Sequence, residues 1–179
     1  MRVKVRDRLG AVVLVGVIGG SALGQSGVRS DQAGRDEAAL LGAWRLVSIA
    51  TIRPNGEEVT DWMGRKPSGL LMYQSNGYMS VQIRHDPPAR WSHPLEDDAS
   101  VEERATAYRR YYAYFGRYEV DLEQGVVRHR VESSLQPQEA GVVYERRFKL
   151  TGDQLLLTAT PFTFKGEQRF NKLVWERVQ

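Results

Sequence analysis

Val126-Val127-Arg128-His129-Arg130-Val131-Glu132-Ser133-Ser134 changes character residue by residue. In an extended chain Val127, His129, Val131 and Ser133 share one side, and Arg128, Arg130 and Glu132 share the other. The stretch therefore predicts a strand with one face toward a core. Glu123-Gln124-Gly125 precedes it, a composition suited to a hairpin turn. Working outward in both directions, strands are expected near 43–52, 69–74, 77–84, 117–122, 142–150, 154–160 and 171–178. Ser75-Asn76-Gly77 and Thr151-Gly152-Asp153 supply further turns, with Gly and Asn expected at the positive φ angles. Short strands at this spacing predict an all-β sandwich or barrel of about eight to nine strands.

One segment has a different period. Val101, Ala105, Tyr108, Tyr112 and Phe115 recur at helical spacing, which predicts an amphipathic helix over 101–115. Ser100 and Glu103 form a capping box at its start, and Gly116 is placed to end it in a left-handed conformation. The preceding Pro-containing loop, 84–99, holds His85, Asp86 and His93, but their spacing matches no known metal site, and none is expected.

The N-terminal segment reads as an export signal. Arg2, Lys4, Arg6 and Arg8 precede an apolar, glycine-containing run from Leu9 to Leu23 that is too short for a membrane span. Ala22 and Gly24 suggest cleavage after Gly24, followed by a polar leader over 25–37 and a domain over 38–179. The mature protein is thus expected in the periplasm or outside the cell, without a membrane span. Residues 1–24 carry four of the 25 Lys and Arg and one of the 22 Asp and Glu, leaving 21 of each. The basic character of the chain belongs to its signal, which argues against nucleic acid as a partner. No cysteine is present. That excludes disulfide staples and thiol chemistry, so the core alone must hold the fold.

Both ends of the domain carry a recognisable pattern. Gly42-Ala43-Trp44-Arg45-Leu46-Val47-Ser48 has the Gly-x-Trp that opens the first strand of lipocalins and their calycin relatives, and Leu173-Val174-Trp175-Glu176-Arg177 ends the last strand on an arginine. Between them lie Gly69-Leu70-Leu71-Met72-Tyr73, Asn76-Gly77-Tyr78-Met79-Ser80-Val81-Gln82 and Tyr114-Phe115-Gly116-Arg117-Tyr118-Glu119-Val120. Over Leu40 to Val178 the chain resembles the bacterial and fungal lipocalin-like domain family. The resemblance implies an antiparallel barrel in which Arg177 packs over Trp44 as a structural lock. It implies little about function, because a fold hosts many functions.

A barrel of this size holds one small ligand or is filled by its own side chains. In 142–150, alternation puts Val142, Tyr144, Arg146, Phe148 and Leu150 on one face, so Arg146 joins His129 among inward apolar neighbours. Both need partners there. Their structural reading is satisfaction by Tyr118, Ser133 or backbone groups. Their functional reading is a site for a small apolar or amphipathic molecule, with Tyr78, Tyr118, His129, Tyr144 and Arg146 as candidate cavity residues. An enzymatic alternative, of isomerase, cyclase or hydratase type, makes His129 the general acid or base and Arg146 the stabiliser of developing negative charge. No cofactor is expected in either case, and the protein is expected to act as a monomer or weak homodimer.

Overall fold

The computed structural model describes residues 38–60 and 62–179; the expected export signal and leader lie outside the described residues. Among the described residues ten strands and the helix α1 follow in order: β1 Gly42–Ile52, β2 Glu58–Val59, β3 Ser68–Tyr73, β4 Tyr78–Arg84, α1 Val101–Arg109, β5 Tyr111–Asp121, β6 Val126–Ser134, β7 Val143–Thr151, β8 Gln154–Ala159, β9 Phe162–Phe164 and β10 Glu167–Arg177. Eight of the strands form a closed antiparallel barrel in the order β1-β3-β4-β5-β6-β7-β8-β10, with β10 returning to β1. The short β2 and β9 pair outside this ring with β1 and β10. Sequence periodicity missed both. Each is only two or three residues long and has no alternation to read. Among the described residues no helix is long and apolar enough to cross a membrane.

The closing pair runs from Trp44 opposite Arg177 to Ile52 opposite Phe170, with a bulge between Leu46 and Ser48. The extra residue shifts the strand's phase. Trp44 and Leu46 are buried before the bulge and Ile49 and Thr51 after it, while Val47 is exposed. At the base, Trp44 is fully buried and its Nε1 donates to the Leu40 carbonyl at 2.9 Å. The Arg177 guanidinium carbon stands 4.2 Å from the Trp44 ring centroid. The same guanidinium donates to the carbonyls of Leu41 and Ala39 and meets Asp153 at 3.4 Å. One side chain thus plugs the base and ties the entering chain to the last strand.

The helix differs from the sequence expectation. Its capping box forms as expected, Ser100 accepting from the Glu103 N–H and Glu103 from the Ser100 N–H. The helix stops at Arg109, however, and Tyr112 and Phe115 belong to β5. The run from 112 to 118 also fits a two-residue period: Tyr114, Gly116 and Tyr118 are buried and Phe115 is exposed. Pairing with β4 on one side and β6 on the other decides between the two periods.

Gly116 accordingly ends no helix. It sits in β5 opposite a bulge at Glu132 of β6, where a Cβ would stand 1.9 Å from the Arg130 carbonyl oxygen. Gly116→Ala is therefore expected to lower stability by roughly 1–3 kcal/mol, because two paired backbones must separate. An unchanged urea midpoint for this variant would contradict the close approach. At the β3–β4 turn the positive φ belongs to Gly77, at 82°, and not to Asn76. Asn76 instead accepts a hydrogen bond from the Tyr78 N–H through its side-chain oxygen.

Candidate functional site

The barrel encloses a cavity of about 390 Å³. Its apolar lining includes Ile49 of β1, Leu71 of β3, Val81 of β4, Leu157 of β8, and Leu173 and Trp175 of β10. Its polar lining is concentrated on three neighbouring strands, with Tyr114 from β5, His129 from β6 and Arg146 from β7. At the rim stand Trp62, His85 and Arg109. His85 packs edge-on against Trp62, with ring centroids 6.3 Å apart.

His129 is 1% exposed. Its Nε2 lies 2.7 Å from the Tyr73 hydroxyl and its Nδ1 2.7 Å from the Tyr114 hydroxyl. A neutral imidazole donates from one nitrogen and accepts at the other. One phenol is therefore donor and the other acceptor, and the hydrogen bonds run in a single direction through the ring. Burial holds the imidazole neutral, with the nearby Arg146 charge adding to the effect, and its pKa falls to about 3. Burial likewise pushes Tyr73 well above the ordinary phenol value and Tyr114 up to about 12, with Arg146 opposing both shifts.

Arg146 is half-buried. Its Nη1 donates to the Glu145 carbonyl at 3.2 Å, and its guanidinium carbon lies 4.7 Å from the Tyr144 ring centroid. The outward arginines of β6 are paired, Arg128 with Asp121 and Glu145, and Arg130 with Glu119. Arg146 has no carboxylate partner among the described residues. Above it a second polar group closes around Glu139, in a 3-10 turn over Pro137–Glu139. Glu139 accepts from Ser134 at 2.7 Å and from Tyr112 at 3.2 Å.

The residues expected at the site separate into two groups. His129 and Arg146 face the cavity together. Tyr144 is on the inward face but packs behind them, its ring 5.8 Å from that of Tyr114. Tyr118 is buried at the base, its ring tilted against that of Tyr73 with centroids 4.7 Å apart and its hydroxyl donating to the Gln74 carbonyl, and it does not line the cavity. Tyr78 is outside the barrel, where its hydroxyl accepts from Arg117 and its ring lies under the same guanidinium. The phase of β4 explains this: Met79, Val81 and Ile83 are the buried residues, so Tyr78 points away. Nor do Tyr118 or Ser133 satisfy His129, whose partners are Tyr73 and Tyr114. Both ring nitrogens of His129 are occupied, so a proton passing between the imidazole and the cavity has to travel through a tyrosine hydroxyl. Tyr73 alternates with the buried Leu71 and was findable from that pattern; Tyr114 was hidden by the helical reading of its segment.

A closed eight-stranded antiparallel barrel, plugged at its base by an arginine over a tryptophan and hollow above, is a calycin-type barrel. The chain belongs to the lipocalin-like domain family, whose model matches residues 41–178. Among solved structures it is similar to a redesigned β-barrel at 13% identity, covering 79% of this chain and 94% of that one with a TM-score of 0.37. No curated protein matches the chain.

Proposed function

We propose that the protein is an exported carrier or receptor that holds a small amphipathic molecule in the barrel, an acidic or carbonyl oxygen of the ligand meeting Arg146. The observation that carries this reading is the inward guanidinium of Arg146, left without a carboxylate where the polar and apolar walls of the cavity meet. A partly desolvated cation gains from an anion brought by a ligand. The Tyr73–His129–Tyr114 chain beside it is neutral and internally satisfied, which suits a preformed wall. The cavity volume falls in the range of small-molecule sites.

The test is calorimetric titration of octanoate and its neutral counterpart octanol into the parent protein and Arg146→Gln. The parent is expected to prefer the acid. The variant should bind the acid about tenfold or more weakly and the alcohol almost unchanged, since a hydrogen bond to a charged group contributes roughly 1.5–3 kcal/mol. Binding of neither compound, or an equal loss for both, would overturn the assignment of Arg146.

A further inference from the structure

A second apolar space, of about 410 Å³, lies beyond the rim, lined by Val59 of β2, Phe162 and Phe164 of β9, and Arg169 of β10. It shares Trp62 and Asn171 with the barrel cavity. The two spaces therefore adjoin across those residues. Trp62, Phe162 and Phe164 are 43%, 38% and 46% exposed. Three large aromatics gathered at one opening mark a contact surface, unlike apolar residues scattered singly. The strands carrying this groove, β2 and β9, are the two that take no part in closing the barrel.

The chemistry of the two spaces is unequal. Arg169 is occupied on the groove side: it pairs with Glu167 at 2.6 Å and lies 4.9 Å from the Phe164 ring centroid. Asn171, at the junction, accepts from the Thr51 hydroxyl at 2.8 Å. Inside, Arg146 has no carboxylate partner among the described residues, and the exposed aromatic surface is outside. We infer that the groove is the outer half of one continuous site, and that it takes the apolar tail of a long-chain monocarboxylic acid whose head is held at Arg146. This rests on the binding function proposed above and adds the ligand's length and direction, head inward and tail emerging between Trp62 and Asn171.

The experiment compares octanoate, dodecanoate and hexadecanoate, each below its micellar concentration, on the parent and on Phe162→Ala/Phe164→Ala. Both phenylalanines are exposed and neither lines the inner cavity, so the fold and the binding of a short acid are left intact. In the parent, affinity is expected to rise at least about tenfold from dodecanoate to hexadecanoate, a modest share of what full burial of the added methylenes would give. In the variant that rise should disappear while octanoate stays within about twofold of the parent. A rise that persists in the variant, or an equal loss for all three acids, would overturn the groove as a tail site and leave Arg146 recognition standing. Failure of every acid to bind the parent would overturn both.

Discussion

Trp44→Ala is expected to cost about 3–5 kcal/mol, a large share of the roughly 5–15 kcal/mol that holds a domain of this size together. The indole is fully buried, donates to Leu40 and carries the Arg177 guanidinium on its face. Its removal opens a void at the point where the first and last strands meet. Arg177→Ala should cost less, about 1–2 kcal/mol, because it removes the stack and leaves the Leu41 and Ala39 carbonyls to find other donors. Urea unfolding reads both. A Trp44→Ala protein with the parent's midpoint would show that closure does not depend on the plug.

The second large effect is on the pH dependence of stability. His129 binds its proton with a pKa of about 3 in the fold, against about 6.5 in an unfolded chain. Between those values the unfolded state carries a proton that the native state refuses. The contribution is therefore fully present above about pH 6.5 and is lost as pH falls toward 3, at up to about 1.4 kcal/mol per unit and on the order of 5 kcal/mol in all. The lowered carboxylates, Glu103, Glu119 and Glu167, act only at lower pH. His85, also lowered by burial and by the Arg110 charge, adds a contribution of the same sign that the control retains. A control carrying His129→Leu with Tyr73→Phe and Tyr114→Phe removes the titration without stranding a hydroxyl. Between pH 6.5 and 5 the parent should lose stability faster than this control; parallel profiles would mean that His129 is not held neutral.

The barrel was legible because its strands alternate and its turns carry glycine, and because Trp44 and Arg177 stand at the two ends of the domain. The inward placement of His129 and Arg146 followed from the same two-residue period. What that period cannot provide is the phase of a strand whose residues suit either face, and Tyr78 was misplaced for that reason. Tyrosine also obeys two periods at once in 108–118. Only the partners β4 and β6, distant in the chain, convert that segment to a strand. The partners of His129 are 56 and 15 residues away, and no local pattern announces them.

The pairing of β1 with β10 also sets an order in time. Every other neighbour in the ring can form once a nearby stretch of chain exists, since each follows the last through a connecting loop. The seam must wait until the C-terminal strand has been made. During that interval β1 presents an open edge of unpaired N–H and C=O groups to any extended chain nearby. A barrel whose seam joins its two ends therefore folds with its slowest contact last. The hazard to this protein is greatest while β10 is not yet in place, and falls once the seam has formed.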